Sequence, residues 1–218
     1  MNIKYLSLSI LLMSSPAMAL DSYLSYSYAE AGAAIGKLSI DTVGRKFDVK
    51  VPTFGGKLSY QFNEKYFATV SHTYTDMNDS DLAKGFSLTL DGNLQQTKAA
   101  LGYAYYLTSE TDLVFTLGGV LDKNNLTSKF SPGGRFTDNS TQAALLWSAG
   151  VRTIWIDKGF EGYFKVIGHD NNLGFSIGGP AYIRENMAIG INYTYMREKQ
   201  SDNKSTHSSL GLTLRSYF

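Results

Sequence analysis

From about Lys57 to the C-terminus the chain alternates, residue by residue, between large apolar and small or polar side chains, the period of a β-strand. Leu58, Tyr60 and Phe62 alternate with Lys57, Ser59 and Gln61. After Asn63-Glu64-Lys65 the pattern resumes with Tyr66, Ala68 and Val70 against Thr69, Ser71 and Thr73, which predicts a hairpin with a tight turn. The same arrangement recurs around Thr108-Ser109-Glu110, between Ala99–Tyr105 and Leu113–Leu117. Asp157-Lys158-Gly159 reverses Leu145–Trp155 into Phe160–Val166, and Arg184-Glu185-Asn186 reverses Leu173–Ile177 into Ile189–Tyr195. No segment after the first residues is long and apolar enough to cross a membrane as a helix.

Charge obeys the same alternation. Lys57, Lys98, Arg152, Glu161, Lys165 and Arg215 all take the parity shared with Gly, Ala and Ser, and almost no charge takes the apolar parity. A soluble sandwich also puts charge on its outer face, but seldom on a face so rich in small residues. A lipid-facing Lys or Arg at mid-bilayer costs about 2–4 kcal/mol, whereas a barrel lumen accepts charge and small side chains. The segregation therefore predicts an all-β fold, a single antiparallel transmembrane β-barrel with these six residues in its lumen. Aligning Trp155 with Phe160 across the turn sets Ile154 beside Glu161, so Arg152 and Glu161 are placed to pair. Two residues break the rule. Glu30 shares parity with Tyr26 and Tyr28, which predicts a bulge after Tyr28 or an exit from the bilayer, and His72 falls on the apolar parity, near the rim.

Connection lengths set the strand count. Tight turns near Asn63, Thr108, Asp157 and Arg184 alternate with longer polar segments at 41–49, 76–92, 122–140 and 198–205, while 169–172 is short. Short turns belong to the periplasmic side and long loops to the outside, which gives about ten strands with both termini periplasmic. Within 76–92, Phe86, Leu88 and Leu90 alternate ahead of Asp91-Gly92, a hairpin-type dipeptide. We read this run as strand extension above the membrane. If it crosses, or if 160–183 does not, the count changes, and eight strands is the alternative.

The N-terminus adds an address. Lys4, an apolar core from about Leu6 to Met13, and Ala17-Met18-Ala19 form a secretory signal cleaved after Ala19, leaving residues 20–218 as one barrel domain. The chain has no cysteine, which suits passage through an oxidising periplasm and excludes thiol-ligated metal. A formal net charge of +1 with scattered Lys and Arg gives no phosphate-tracking stripe, so nucleic acid is not an expected partner.

The chain ends Ser209-Leu210-Gly211-Leu212-Thr213-Leu214-Arg215-Ser216-Tyr217-Phe218. A terminal Phe218 closing an alternating strand with Leu210, Leu212 and Leu214 resembles the C-terminal signal by which outer-membrane barrels engage the barrel-assembly machinery. Ser216 stands where that pattern has an aromatic or apolar residue. Over its mature length the chain resembles the small bacterial outer-membrane barrel superfamily, the OmpA/OmpX-like, porin-like β-barrel domains. The resemblance implies an outer-membrane location and contact with membrane lipid and lipopolysaccharide. Its members have varied activities, so fold analogy does not choose among them.

Three function classes remain. Surface recognition or adhesion, with envelope integrity beside it, would use outer loops on a rigid scaffold to meet a host or surface ligand. The candidate residues are Arg45, Lys46 and Phe47; Asp76, Asp79 and Asp81; and Lys129, Phe130, Arg135 and Phe136 around Pro132-Gly133-Gly134. A narrow pore favouring small anions would use the positive excess of the lumen, although a structural ion pair in a closed lumen is the simpler role for Arg152 and Glu161. An outer-membrane hydrolase would need a constellation that His169-Asp170 or His207-Ser208-Ser209 does not supply by adjacency, since neighbouring strand residues face opposite ways. No catalytic residue, cofactor or metal site is assigned. Asp76–Asp81 lacks the glycine and glutamate of a calcium-binding EF-hand loop, and Asn125-Leu126-Thr127 reads as a loop triplet rather than a glycosylation site.

Overall fold

The computed structural model describes residues 25–42, 45–83, 86–131, 133–155, 159–200 and 203–218. The expected export signal with its cleavage point, Pro132 and Asp157-Lys158 lie outside the described residues. The strands are β1 (Tyr28–Thr42), β2 (Arg45–Gln61), β3 (Tyr66–Asp76), β4 (Asp79–Ala83), β5 (Phe86–Tyr106), β6 (Thr111–Ser131), β7 (Arg135–Trp155), β8 (Phe160–His169), β9 (Asn172–Arg184), β10 (Met187–Gln200) and β11 (Asn203–Tyr217).

Ten of these close into one antiparallel barrel. Each pairs with the next in sequence, β3 pairs with β5, and β11 returns to β1. The short β4 pairs only with β5, beyond the end of β3. The count matches the ten strands expected, with the 160–183 hairpin crossing as β8 and β9 and residues 86–90 extending β5.

Within the apolar belt, parity sorts the side chains as a membrane barrel requires. Leu58, Val70, Leu101, Leu117, Leu145, Ile191 and Leu212 are among the large apolar side chains left exposed, and all face outward. Aromatic rings edge this belt: Tyr60, Tyr66, Tyr105, Trp155 and Phe160 at the tight-turn end, and Tyr74, Trp147 and Tyr193 toward the other. His72 also faces outward, close to Tyr74, and its Nδ1 lies 2.9 Å from Thr97 Oγ1, so its polar edge is satisfied across the β3–β5 ladder. Inside, small residues make room for rings. Tyr26 stacks on Phe67 at 4.2 Å, and a side chain at Gly102 would collide with the Phe67 ring.

The strands are longer than a bilayer demands. A membrane β-strand needs about 9–11 residues, whereas β5, β6 and β7 each have 21. On the outward face of β6 the apolar run Leu113–Leu121 gives way to Lys123, Asn125, Thr127 and Lys129. Residues 122–131 of β6 therefore stand clear of the belt, rising roughly 25 Å once strand tilt is allowed for. The segment expected as a loop at 122–140 is almost entirely ladder, from Asp122↔Gln142 to Lys129↔Arg135. Its few large apolar side chains, Leu126, Phe130 and Phe136, are too sparse to show the alternation of a strand.

Asp91-Gly92 does not turn the chain. It lies inside β5, opposite Thr127 and Leu126, where the neighbour of β5 changes from β3 to β4. Gly92 has φ of 148°, and a side chain there would collide with the Asn125 carbonyl, so the position needs glycine for this backbone conformation and close approach rather than for a hairpin.

Candidate functional site

At the tight-turn end the lumen is filled by a chain of buried charges. Arg152 Nη2 lies 3.3 Å from Asp112 Oδ2, and Arg152 Nη1 lies 3.9 Å from Glu161 Oε2. Arg215 Nη1 reaches Glu161 Oε1 at 3.3 Å, and its Nη2 reaches Glu30 Oε2 at 2.8 Å. Trp155 pairs with Phe160 and Ile154 with Glu161, the register expected from sequence. Tyrosines complete the packing. The Tyr26 hydroxyl donates to Asp112 at 2.5 Å, Arg152 stacks 3.8 Å over the Tyr26 ring, and Arg215 lies 4.2 Å over Tyr28. Such guanidinium–ring contacts use the weak hydration of Arg to place charge among aromatics.

Glu30 is a correction. β1 pairs with β2 and β11 in unbroken register from Tyr28 onward, with no bulge, and Tyr26, Tyr28 and Glu30 all point inward. The parity was right but the face was not, because lumenal arginines make inward tyrosines favourable. Asp112 was missed, although stepping back along its strand from Thr116 through Val114 places it on the lumenal parity.

Lys57, Lys98 and Lys165 take the inward parity in the half-buried middle of the barrel. Lys57 lies 5.2 Å from the Tyr28 ring and Lys165 lies 5.4 Å from that of Tyr163. At the long-strand end the interior changes character. Phe47, Val49, Val51, Leu88 and Leu90 form a buried apolar cluster, with Leu38, Ile40, Met77, Phe86, Leu126 and Phe130 against it. The inner faces of the extended β1–β2 hairpin and of β5–β6 pack together, narrowing the barrel at this end as the charge cluster does at the other.

This cluster overturns part of the expected recognition surface. Phe47 is 2% exposed, and Phe130 meets it edge-on at 6.1 Å. Asp79 and Asp81 cap an edge. β3 pairs with β2 only as far as Thr53, so the rest of β2 lacks that neighbour, and the two carboxylates accept the main-chain N–H of Lys50 and of Asp48, each at 2.7 Å. An unpaired edge needs acceptors, and these acids supply them. Asp76 accepts from the Asn78 side chain, and Asn78 Oδ1 accepts the Gly92 N–H at 3.0 Å.

What remains exposed lies on the β6–β7 projection and on the outward face of β2. Lys129, Arg135 and Phe136 are exposed, as is Lys46; the Arg45 side chain lies outside the described residues. β7 also has a free edge. Its pairing with β8 ends at Leu146↔His169, because the β8–β9 hairpin closes at His169↔Asn172, so among the described residues 135–145 pair only with β6.

No clustered ligands or catalytic geometry accompany this surface. Among the described residues, no three His, Asp or Glu gather as a metal site. His169 Nδ1 lies 3.5 Å from Asn172, and the buried Nε2 of His207 has no hydrogen-bond partner among the described residues. At the C-terminus, Leu210, Leu212 and Leu214 face outward, and Phe218 donates its N–H to the Ser27 carbonyl at 3.2 Å.

A closed ten-strand barrel with an apolar belt and a polar projection is the architecture of an outer-membrane protein. The family model for the outer membrane protein beta-barrel domain matches residues 6–215, and the chain belongs to that family and resides in the outer membrane. Its fold is similar to that of the transport unit of the autotransporter AIDA-I from Escherichia coli, with a TM-score of 0.53, 9% identity, and 92% of this chain and 93% of that one covered. The outer membrane protease OmpT from Escherichia coli gives 0.52 and 8%, covering 91% and 100%. Ail, the attachment invasion locus protein of Yersinia pestis, solved with the heparin analogue sucrose octasulfate, gives 0.40 and 16%, covering 88% and 99%. No curated protein matches in sequence.

Proposed function

We propose that the protein is a non-enzymatic display barrel, oriented with its tight turns in the periplasm, that carries the projecting β5–β7 sheet to the cell exterior as a surface for recognition or adhesion. The observation that carries this reading is the projection itself: 21-residue strands, about twice the length a bilayer needs, paired to their ends, with Lys129, Arg135 and Phe136 exposed at the tip. A paired sheet presents these side chains with less ordering entropy to lose on binding than a mobile loop would. The free edge of β7 adds main-chain donors and acceptors that an extended polypeptide can join as a further strand.

An anion-favouring pore finds less support. The lumen is narrowed at one end by Arg152, Glu161 and Arg215 and at the other by the Phe47–Leu90 cluster. Hydrolysis lacks a bonded His–carboxylate or His–Ser pair among the described residues.

The test replaces residues 124–140 with an Asn-Gly turn, which keeps Lys123 opposite Thr141, and compares adhesion of cells displaying either form, to host cells and to one another. The reading expects the shortened protein to assemble, with unchanged heat-modifiable mobility, and to lose adhesion. Equal adhesion by a correctly assembled short form would overturn it. Steady conductance of the intact protein in planar bilayers would instead favour the pore.

A further inference from the structure

The outward face of the β2–β1–β11–β10 sheet holds a second candidate site, where the apolar belt meets the first polar row. Lys50 on β2 sits directly opposite Lys37 on β1, and Lys37 in turn sits opposite Ser208 on β11. One step toward the belt, Ile35 sits opposite Leu210, and Leu210 opposite Tyr193. The small Ser208 leaves a depression between these rows, a groove of about 460 Å³ lined by Ile35, Lys37, Lys50, Tyr193, Ser208 and Leu210 among others.

Two like charges directly across a strand pair repel and destabilise the sheet unless something neutralises them. Asp48 does so only in part. Its carboxylate takes Lys37 Nζ at 2.8 Å and the Ser39 hydroxyl at 2.5 Å, which fixes the Lys37 ammonium beside the groove, while Lys50 forms no direct ion pair among the described residues, and Asp79, whose carboxylate accepts the Lys50 main-chain N–H, acts on its ammonium only at longer range. Below the lysines the floor is hydrocarbon, with Ile35 72% and Leu210 60% exposed and continuous with the lipid-facing belt. Cationic heads above an apolar floor, at the height of the membrane boundary, complement an anionic lipid headgroup whose acyl chain runs down the belt.

We infer that this groove binds a phosphorylated membrane lipid, with Lys37 and Lys50 sharing the phosphate and Ile35, Leu210 and Tyr193 receiving the start of an acyl chain. The phosphate accepts charge-assisted hydrogen bonds from both ammonium groups and relieves their repulsion. The lysines select the charge and the floor selects a lipid over a free anion. This inference is independent of what the β5–β7 projection recognises.

The experiment uses the refolded full barrel in neutral detergent, with diphosphorylated lipid A as probe and native mass spectrometry as readout. The wild type is expected to retain one lipid A. The double variant Lys37→Gln, Lys50→Gln should lose retention by roughly tenfold or more, and Lys65→Gln at a tight turn should leave it unchanged. Ser208→Phe, which fills the groove and keeps both lysines, is expected to lose the lipid as well. Lipid A stripped of its phosphates, or inorganic phosphate at the same concentration, should fail to compete. Unchanged retention by the folded double variant or by Ser208→Phe would overturn the assignment, as would displacement by inorganic phosphate.

Discussion

Glu30 and Arg215, 185 residues apart, face each other as register partners on the first and last strands and meet at 2.8 Å, so the seam that closes the barrel is also an ion pair. Arg215 simultaneously holds Glu161 at 3.3 Å, which in turn approaches Arg152. Two guanidiniums thus tie together Glu30, Glu161 and Asp112 on β1, β8 and β6.

Removing one member of such a buried group leaves its partners uncompensated, at a cost of about 3–5 kcal/mol. Arg215→Met is expected to lower the stability of the refolded barrel by that order in urea titrations followed by tryptophan fluorescence. Glu30→Gln added to Arg215→Met should recover part of the loss, because it removes one of the stranded carboxylates. Independent, additive effects would mean that the seam pair is not coupled.

Gly102 and Phe67 test lumenal packing. Gly102→Ala drives a methyl group into the Phe67 ring, and overpacking of this kind costs about 1–3 kcal/mol. Phe67→Leu also costs stability, through its lost stack on Tyr26, but Gly102→Ala should be less harmful in that background. Equal effects of Gly102→Ala in both backgrounds would place the ring elsewhere.

Depth along β6 sets the cost of a charge. Leu117→Arg, 60% exposed on the outward face of the belt, should impair membrane assembly, with a penalty of about 2–4 kcal/mol if it sits near the midplane. Asn125→Arg lies on the same face beyond the belt and should assemble as the wild type does. Quantitative pulse-labelling of the folded form in membranes distinguishes the two, and equal assembly would remove the boundary drawn near Leu121.

Much of this organisation was legible in the sequence. The alternation of Leu58 and Tyr60 against Lys57 and Ser59 placed lipid and lumen on the correct faces, and the Trp155–Phe160 alignment brought Arg152 to Glu161. What the alternation cannot supply is depth. Phe47, Leu88 and Leu90 alternate like belt residues but point inward beyond it, where two extended hairpins pack on each other. Residues 122–140 carry only Leu126, Phe130 and Phe136 as large apolar side chains, too few to show an alternation, and resemble a loop, yet they form a ladder with Leu126 and Phe130 turned inward. The acids at 79 and 81 invite a recognition or cation role because the sequence hides the edge of β2 that they cap.

Acid should act on that edge. Hydrogen bonds from Lys37 and then Ser39 hold the Asp48 carboxyl below the ordinary carboxylate range, and main-chain N–H groups of Lys50 and Ser80 do the same for Asp79. A folded pKa below the unfolded one contributes stability that is present above the unfolded value of about 3.9 and is lost as pH falls through the lower, folded value. Amide exchange at Lys50 should therefore be unchanged between pH 7 and 5 and quicken, relative to its intrinsic rate, only below that range. Asp79→Asn should flatten the dependence. Loss of protection already by pH 5 would contradict this origin.

The central claim is that the long-strand end stands outside the cell on an outer-membrane barrel, and the absence of cysteine permits a direct test. Lys129→Cys on the projection and Glu110→Cys at a tight turn would each be treated with a membrane-impermeant maleimide on intact cells and on cells with a permeabilised outer membrane. With the proposed orientation, Lys129→Cys labels on intact cells and Glu110→Cys only after permeabilisation. Labelling of Glu110→Cys on intact cells while Lys129→Cys stays protected would contradict the orientation, and protection of both until the inner membrane is breached would contradict the location.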